Sequence, residues 1–470
     1  MREAIREGQT RLILCAPTGA GKTVIFSYTA HSAYQRGRSV LIVTDRVELL
    51  KQSGGALNRL GIMPYQIKAG HEPVTLSGQI YTAMVETLSR RMKDARYQRL
   101  VSGFDVIIFD EAHKQAFNKL MPYIADKTVV IGATATPYRD KNQKALSEFY
   151  QVIIEVTDIP TLIDEGFLSK PISYGVPVDL SGVRMKGGDF DENSMAAEYS
   201  RNKVYQGVIE NYLRLTPGRK TLSFSSNIQS SQELTERMVE AGINAKHLDS
   251  NMGAYERTKT LAWFHQTPDA VLNNVGILTT GFDCPEVEVV ILYRATTSLP
   301  LFLQMCGRGS RVVQGAKDEF FILDFGENIH RHGFWEQERI WSLEKPKKRK
   351  KQQAAPVKDC PECGALLHTA VRECTYCGYE FEFTKAEQEH DVVAELTLLS
   401  PRDRRAVALQ SSMEEKVMMA KNGLVKPFYL LHNMTSREEA KEFAVKMGWK
   451  WSGWWHYNKH RFPNLQRETV

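Results

Sequence analysis

The segment Ala16–Thr23 (APTGAGKT) constrains this chain more than any other part of its sequence. It directly follows an apolar, β-prone run, RLILC, and precedes a segment of helical character, VIFSYTAHSAY. A loop of small residues between a strand and a helix can turn backbone N–H groups around a phosphate group. The sequence therefore predicts a phosphate-binding loop, in which Lys22 reaches the β- and γ-phosphates and the Thr23 hydroxyl binds Mg²⁺.

Short apolar runs alternate with helix-like segments along most of the chain, which indicates βαβ units and parallel sheets. The runs fall into two sets, separated by a pause near residues 140–170. The first set comprises Arg11–Cys15, Val40–Thr44, Phe104–Phe109 and Thr128–Ile131. The second set comprises Thr221–Phe224, Val275–Leu278, Val287–Leu292 and Phe320–Leu323. We therefore expect an α/β protein with two tandem parallel-sheet domains, residues 1–155 and 156–342.

Composition excludes several classes of protein. The 470 residues are 42% apolar, which is ordinary for packed domains and excludes wholesale disorder. No apolar run approaches the roughly 20 residues of a membrane-spanning helix, and the charged N-terminus lacks the pattern of a signal peptide. We therefore expect a cytoplasmic protein with reduced thiols and no membrane partner.

Two further sets of polar residues suit chemistry on a phosphate. Asp110 and Glu111 follow the apolar run VIIF, and the C-terminal end of such a strand faces the ligand crevice of an open α/β sheet. Asp110 is expected to hold the metal ion and Glu111 to polarise the attacking water. Gln304, Arg308 and Arg311 recur at helical spacing, so we expect them to share one helix face. Such arginines can clamp a γ-phosphate from a second domain, although a surface helix with salt bridges is the alternative.

The order of these motifs resembles that of superfamily 2 helicases. Ala16–Thr23 resembles motif I, Asp110–His113 (DEAH) motif II, Gly132–Pro137 motif III, Ile277–Pro285 motif V and Gln304–Arg311 motif VI. The resemblance spans residues 11–330 and implies two RecA-like domains that bind Mg-ATP between them. The implied catalytic residues are Lys22, Asp110, Glu111, Gln304, Arg308 and Arg311, with Arg311 as the first choice of arginine finger. The implied nucleotide contacts are Thr18, Gly19, Ala20, Gly21, Lys22, Thr23, Gly281 and Asp283, with Thr23 and Asp110 on the Mg²⁺.

The same resemblance implies a nucleic acid track across both domains, in which hydroxyls, amides and cations hold backbone phosphates. The matching positions are Arg46, Thr82, Ser225, Asn227, Thr279 and Thr280. Singly, each polar position of this kind is as typical of a helix cap or a turn. The DEAH motif, the initial Gln304 of motif VI and the segment TDRVELLKQ resemble DNA-acting members of the superfamily. Single-stranded or branched DNA is therefore the implied partner.

Four cysteines form two Cys-x-x-Cys pairs, Cys360 with Cys363 and Cys374 with Cys377, and a glycine follows each pair. Four thiolates at this spacing can bind one Zn²⁺ tetrahedrally and leave no position open for catalysis. Disulfides are the alternative, which an intracellular setting makes a poor one. The ribbon together with motifs V and VI resembles RadD-like helicases of bacteria and phages. That group is associated with DNA repair and recombination, and single-strand-binding or recombination proteins are candidate partners.

The rest of the chain is predicted in three parts. Residues 343–358 contain the run KPKKRKK, which indicates a solvated basic linker, and residues 359–384 form the zinc ribbon. Residues 385–470 are expected to form a small α+β domain with a helix at Glu414–Lys421. Aromatic and basic residues cluster near its end, so Trp454 and Lys459 are candidate nucleic acid contacts. On a strand, Trp454 and Trp455 would point to opposite faces.

The function expected from the sequence is an ATP-dependent DNA helicase or translocase in repair or recombination, with ATP, Mg²⁺ and Zn²⁺ as cofactors. An RNA helicase and a nucleic-acid-binding adaptor with weak or no ATPase activity are the alternatives. Superfamily members carry a segment before motif I whose Gln reads adenine. Met1–Ile5 resembles the residues after that Gln, so the sequence is expected to begin just inside the nucleotide domain.

Overall fold

The computed structural model describes most of the chain as two compact units. The described residues are 1–71, 75–139, 144–176, 178–279, 281–344, 357–369 and 371–381, and then 405, 408–451, 455, 458 and 462. The first unit runs to Trp335 and includes the stretch that begins at Trp341. The second contains Glu336–Ile340, the four-cysteine segment and the C-terminal helices.

The first sheet lies in the first unit and has, among the described residues, seven parallel strands in the order β3-β4-β2-β5-β6-β1-β7. These strands are β1 (Arg11–Cys15), β2 (Val40–Thr44), β3 (Tyr65–Ile67), β4 (Ile80–Met84), β5 (Val106–Asp110), β6 (Val129–Thr134) and β7 (Val152–Glu155). The accompanying helices are α1 (Arg2–Arg6), α2 (Lys22–Tyr34), α3 (Val47–Arg59), α4 (Val85–Arg91) and α5 (Ala95–Gly103). Leu12 and Leu14 pack into one core, whereas Ile13 and Cys15 pack into another. Both faces of the sheet are therefore covered, which explains why its strands read as unbroken apolar runs.

The second sheet, in the same unit, has six parallel strands among the described residues, in the order β12-β13-β11-β14-β15-β8. These strands are β8 (Lys170–Gly175), β11 (Thr221–Ser225), β12 (Ala245–Leu248), β13 (Val271–Asn274), β14 (Val289–Tyr293) and β15 (Glu319–Asp324). A hairpin of β9 (Met185–Lys186) and β10 (Asp189–Phe190) follows β8. The helices are α6 (Ile159–Asp164) before the sheet, and then α7 (Glu192–Arg201), α8 (Val204–Leu215), α9 (Ile228–Glu240), α10 (Ala254–Gln266), α11 (Leu299–Cys306) and α12 (Asn328–His332). The expected pair of parallel α/β sheets is confirmed.

Strand order brings the polar loops of the first sheet together. Strand β1, which leads into the Ala16–Thr23 loop, pairs with β6, and β6 pairs with β5, which ends at Asp110. All of these pairings are parallel, so the loops after the three strands share one edge of the sheet. Ala16 N also donates to Thr134 O at 3.1 Å, which fixes the start of the loop to the end of β6.

The strand predicted at Val275–Leu278 is wrong, because β13 occupies the preceding residues, Val271–Asn274. Two consecutive asparagines are unfavourable in an isolated strand, yet both are buried here. The Asn274 side chain donates to Ser223 O at 2.8 Å and accepts from Leu278 N at 3.4 Å. Its side chain thus ends the strand and folds the following apolar residues into a turn.

The second unit contains a small antiparallel ribbon and a helical cluster. The ribbon strands are β16 (Val357–Asp359) and β17 (Leu366–His368), and the helices are α13 (Met413–Lys421), α14 (Pro427–His432) and α15 (Arg437–Lys446). The helix predicted at Glu414–Lys421 is confirmed, and the described residues after 404 show helical structure without the strands expected there. The KPKKRKK run lies outside the described residues, and the predicted domain boundaries stay predictions. No helix in the described part of the chain is long and apolar enough to span a bilayer.

Replacing Asn274 with Ala tests this account of the end of β13. Two hydrogen bonds of a buried amide are lost, and Ser223 O is left without this donor, so we expect a cost of about 1–3 kcal/mol. The measurement is the urea concentration at the unfolding midpoint. Asn244→Ala is the control, since Asn244 is exposed and makes a 3.3 Å contact with Asp269. Equal midpoints for the two variants would contradict the structural role of Asn274.

Candidate functional site

The Ala16–Thr23 loop passes directly into the first turn of a 13-residue helix, α2. Gly21 takes the helix N-cap position with φ 73°, a left-handed conformation that a residue with a side chain rarely adopts. Lys22 begins the helix, and its Nζ donates to Ala16 O at 3.2 Å and to Pro17 O at 3.5 Å. The lysine ammonium group therefore lies inside the curve of the loop, beside the N–H groups of a helix N-terminus, in an arrangement suited to an anion.

Asp110 and Glu111 lie beside this loop and are both buried, with 4% and 8% of their surfaces exposed. Burial and the neighbouring Glu111 charge raise the pKa of Asp110 to about 7, against the attraction of Lys22. Burial also opposes ionisation of Glu111, but the cations Lys22 and Lys114 lower its pKa overall. Buried carboxylate oxygens beside the Thr23 hydroxyl are ligands that Mg²⁺ accepts, and such a cation would relieve the repulsion between the two acids.

His113 connects the acidic pair to the end of β6. Its Nδ1 lies 2.8 Å from Thr134 Oγ1 and 3.4 Å from Glu111 Oε2. Burial lowers the pKa of His113 to about 4, so the ring is neutral near pH 7. A neutral imidazole placed between Thr134 and Glu111 can restrict the position of Glu111 without adding charge to the site.

Arg139 holds the turn that carries the acidic pair, although sequence reasoning did not single it out. The guanidinium is 5% exposed and donates to three consecutive carbonyls of that turn, Ala112 O (3.2 Å), His113 O (2.9 Å) and Lys114 O (3.3 Å). Further bonds reach Asn118 Oδ1 at 3.1 Å and Lys144 O at 3.3 Å. Arg139 therefore acts as a positioning residue for the turn after Asp110.

Gln304, Arg308 and Arg311 follow β14 of the second sheet. The helix predicted to carry all three forms only in part. Helix α11 ends at Cys306, so Gln304 is helical whereas Arg308 and Arg311 lie beyond it, and the expectation of one shared helix face is wrong. Gly307 and Gly309 disfavour further helix, and the backbone of Arg311 instead pairs with Leu168. The two arginines reach the site from a turn and a short extended segment.

Side chains of this segment contact the acidic pair and its surroundings. Gln304 Nε2 donates to Glu111 Oε2 at 3.4 Å, which joins α11 to the turn after β5. Arg308 donates to Phe282 O, and burial lowers its pKa to about 10 while Glu111 opposes that shift, so it remains a cation near pH 7. Arg311 forms an ion pair with Asp283. The two arginines are therefore held by neighbouring groups of the second sheet.

A cavity of about 510 Å³ gathers most of the predicted nucleotide and catalytic residues. From the first sheet, its wall includes Thr18, Gly19, Gly21, Lys22, Thr23, Asp110 and Glu111. From the second sheet, it includes Gly281, Asp283, Arg308 and Arg311. Ala20 belongs to the same loop without lining the cavity, and the wall adds Phe167, an exposed aromatic residue that the motifs did not indicate. The volume lies in the range of small-molecule sites, and the cationic side chains suit a polyphosphate.

The four cysteines of the second unit converge as the spacing predicts. Their four sulfur atoms lie within 4.8 Å of one another, with Cys360 and Cys377 at 3.6 Å and Cys363 and Cys374 at 3.7 Å. These separations exceed the roughly 2.05 Å of a disulfide. In each pair, the glycine after the second cysteine has positive φ and donates its N–H to the carbonyl of the first cysteine. Four such thiols fit a structural Zn²⁺.

Two known family models match the parts of the chain that carry the two sheets. Residues 1–139 match the family described as "Type III restriction enzyme, res subunit", and residues 204–313 match "Helicase conserved C-terminal domain". The two matches carry the loops of the two sheets that line the 510 Å³ cavity. The chain belongs to superfamily 2 of the helicases. The expectation of an ATP-dependent enzyme acting on nucleic acid is confirmed at that level. The cysteine segment of this helicase, residues 358–383, matches "Uncharacterised protein family UPF0547".

Relatives of this helicase differ in length and setting. A "51.5 kDa protein" of Lactococcus phage (isolate 7-9) is 28% identical over 85% of this chain and 84% of its own length. The "Putative ATP-dependent helicase IRC3" of Saccharomyces cerevisiae is 28% identical over 68% of this chain, which spans about half (49%) of that protein. A more distant relative is an "ATP-dependent RNA helicase MAK5" of Phaeosphaeria nodorum, 21% identical over 63% of this chain and 35% of its own. The fold is shared with a fragment of a putative HsdR subunit of a type I restriction enzyme from Vibrio vulnificus YJ016, with a TM-score of 0.54, 21% identity and coverage of 71% of this chain and 64% of that one.

A second cavity, of about 420 Å³, brings together two of the predicted nucleic acid residues, Arg46 and Thr279. Gln304 and His113 also line it, so it borders the side chains that contact Glu111. Arg46 Nη1 donates to Gly276 O at 3.5 Å and Ile277 O at 3.4 Å, from the first sheet to the loop after β13. These two predicted contacts therefore lie near Gln304 and His113, the side chains that contact Glu111.

Two predicted nucleic acid contacts, Thr82 and Ser225, need correction, whereas the contact predicted for Asn227 stays a prediction. The side chains of Thr82 and Ser225 are 0% exposed, within β4 and at the end of β11, so neither can touch a bound strand in this conformation. Asn227 caps α9, accepting from Ser230 N at 2.9 Å and donating to Asn193 Oδ1 at 3.0 Å. The motif positions alone could not separate strand residues from loop residues. Thr280, Trp454 and Lys459 lie outside the described residues.

The described tryptophans of the C-terminal segment belong to a small core. Trp449, Trp451 and Trp455 pack against the apolar cluster of helices α13 to α15. Trp451 and Trp455 stack with centroids 5.0 Å apart, and the Arg437 guanidinium lies 5.3 Å from the Trp455 ring. The backbone at Trp455 is helical, so the strand geometry considered for this residue does not apply, and a spacing of four residues brings the Trp451 and Trp455 rings together.

Substituting Arg139 tests its positioning role in this helicase. Arg139→Ala is expected to lower kcat for ATP hydrolysis by about 10²-fold, because a small displacement of Glu111 suffices for that loss. The KM for ATP should change little, since Arg139 does not line the 510 Å³ cavity. Arg139→Lys should recover only a small part of kcat, since an ammonium group cannot reach the same set of carbonyls. The control is Arg99→Ala, an exposed arginine of α5. A KM effect with normal kcat would contradict the assignment.

Zinc content tests the cysteine cluster. The intact protein is expected to contain about one Zn²⁺ per chain, and Cys374→Ser should lose most of it because a tetrahedral structural site needs all four ligands. Elemental analysis of the purified proteins measures this. Cys15→Ser changes a buried thiol of the first sheet and should leave the zinc content unchanged. Zinc retained at the wild-type level in Cys374→Ser would refute the site.

Proposed function

We propose that this chain is an ATP-dependent DNA helicase or translocase that acts in DNA repair or recombination. The observation that carries the proposal is the hydrogen bond between Gln304, which lines the 420 Å³ cavity, and Glu111, which lines the 510 Å³ cavity. A carboxylate of the first sheet and an amide from the helix after β14 are thus in contact beside the cavity proposed to bind the phosphates. Closing and opening of this contact would link nucleotide hydrolysis to relative movement of the sheets.

The side chains around the cavity have separate roles in the proposed reaction. Lys22 would bind the β- and γ-phosphates, and Thr23 and Asp110 would hold a Mg²⁺ ion, which would neutralise charge on those phosphates. Glu111, kept ionised by the surrounding cations, orients the attacking water. Arg308 remains a cation and stabilises charge that develops on the transferred phosphoryl group.

Arg311 begins from a different state, since it is paired with Asp283. To contact the γ-phosphate it must exchange a carboxylate partner for phosphate oxygens, which a guanidinium can do with the same planar set of donors. We therefore assign Arg311 to the step at which ATP draws the second sheet inwards. Asp283 then serves as the resting partner of the arginine finger.

Support for DNA as the partner comes from related proteins. Residues 1–139 match a family described as a restriction enzyme subunit, and the HsdR fragment from V. vulnificus is likewise described as part of a restriction enzyme. RNA is the competing partner, as one more distant relative is described as an RNA helicase. The narrower resemblance to RadD-like helicases stays a prediction.

Steady-state ATP hydrolysis tests this function, measured without nucleic acid and with single-stranded DNA, forked DNA or RNA of equal length. We expect stimulation by DNA and a loss of about 10²-fold or more of the stimulated rate in Glu111→Gln, because the water-orienting carboxylate becomes an amide. Lys22→Ala should also abolish turnover, by loss of the phosphate contact.

Glu165→Gln makes the same chemical change at an exposed position and should keep the wild-type rate. Stronger stimulation by RNA than by DNA would replace the proposed partner with RNA. Turnover in Glu111→Gln equal to that of the control would remove Glu111 from the mechanism. Nucleic acid binding without any turnover would favour the adaptor.

A further inference from the structure

A short hairpin projects from the second sheet between β8 and α7, outside residues 1–139 and 204–313, which match the two family models. Strands β9 and β10 pair Lys186 with Asp189 and Met185 with Phe190. The residues from Arg184 to Gly188 are exposed, and Met185 keeps 56% of its surface accessible. An exposed apolar side chain between two cations is an arrangement that packing does not explain.

The base of this hairpin is firmly attached to the segment that leads into α11. The Asp189 carboxylate accepts from Thr296 Oγ1 at 2.6 Å and from Thr297 N at 2.6 Å. Thr297 Oγ1 also donates to Gly188 O at 2.7 Å. Hydrogen bonds to a carboxylate are among the stronger ones in proteins, so the hairpin base and residues 296–297 should move as one body.

Further contacts hold the second strand and the end of the hairpin. The Arg331 guanidinium lies 4.9 Å from the Phe190 ring. Asp191 N donates to Arg184 O at 2.8 Å, and the Asp191 side chain caps α7 through Ser194 N at 2.8 Å. Lys186 Nζ is 4.0 Å from Asp191, a loose contact at an exposed position that adds little stability. The base is thus fixed, while the Lys186 head group can exchange its partner.

The attachment connects the hairpin to both cavities of the site. Ser298, next to Thr297, caps α11 and lines the 420 Å³ cavity together with Arg46 and Thr279. The same helix carries Gln304, which contacts Glu111. A nucleic acid strand in this cavity would therefore contact Ser298, the residue next to the segment that binds the hairpin. A shift of α11 would also move the hairpin.

We propose that this hairpin is a contact for the nucleic acid strand on its way past the 420 Å³ cavity. Arg184 and Lys186 bind backbone phosphates, and Met185 packs against a base. Thr296 and Thr297 are hydrogen-bonded to the hairpin and lead into α11, which carries Gln304. Forming or breaking the Glu111–Gln304 contact therefore moves the hairpin. The inference rests on the proposed function in requiring a nucleic acid motor, and it holds for either DNA or RNA.

The test measures binding of single-stranded DNA and RNA by fluorescence anisotropy at several salt concentrations. The variant is the full chain with Arg184→Gln and Lys186→Gln. The slope of log K against log salt is negative, and each lost phosphate contact reduces its magnitude by about 0.7 on a single strand, so we expect its magnitude to fall by about 1.4. Hydrolysis of ATP without nucleic acid should match that of the wild type. Met185→Ala is expected to weaken binding several-fold with an unchanged salt slope, because it removes an apolar contact.

The matched control is Lys93→Gln with Arg99→Gln, which removes two exposed positive charges from the first sheet domain. Equal salt slopes for the hairpin variant and this control, at wild-type thermal midpoints, would overturn the proposal. Wild-type binding and stimulation are measured first, which separates the two levels of inference. Absence of stimulation in the wild type contradicts the proposed function, whereas stimulation in the wild type with no change in the hairpin variant contradicts the hairpin contact alone.

Discussion

The ionised carboxylate of Glu111 is the constraint on which the site depends. A buried carboxylate without compensation costs several kcal/mol, so its presence requires cations and donors nearby. Lys22 comes from the phosphate loop and Lys114 from the turn after the acidic pair, whereas Arg308 and Gln304 come from the second sheet. The electrostatic need of this side chain is therefore met mainly by cations of the first sheet, and Arg308 and Gln304 of the second sheet add to it. The ionised state of Glu111 therefore depends in part on how the two sheets are arranged, and their arrangement is in turn favoured by the Glu111 charge.

The backbone at Glu111 carries a second constraint. Its φ of 58° is unusual for a residue with a side chain and costs of the order of 1 kcal/mol or more. Such a conformation persists when the surroundings fix it, and Arg139 does so by binding the carbonyls of the next three residues. Because Arg139 and Thr134 both lie at or after the end of β6, that end of the first sheet supports the turn after Asp110. The charged face of the turn is then left for the cavity.

Local chemistry explains which features could be predicted. The phosphate loop, the carboxylates after β5 and the cysteine knuckles each depend on residues close together in sequence, and the structure gathers them as expected. The point at which α11 ends depended instead on the pairing of Arg311 with Leu168, more than 140 residues away in the chain. The strand at Asn274 depended on Ser223 in a neighbouring strand. Burial of Thr82 depended on its place in the sheet, which a motif position does not encode.

The sequence by itself determined the parallel α/β class, the phosphate loop, the acidic pair and the four-thiol cluster, because each follows from local periodicity or from ligand spacing. Only the tertiary structure decided that Gln304 meets Glu111, that Arg139 supports the catalytic turn and that a hairpin is bonded to the segment before α11. These are contacts between residues far apart in the chain. Their existence depends on strand order and on which side chains burial leaves without water, and neither is written in any short stretch of sequence.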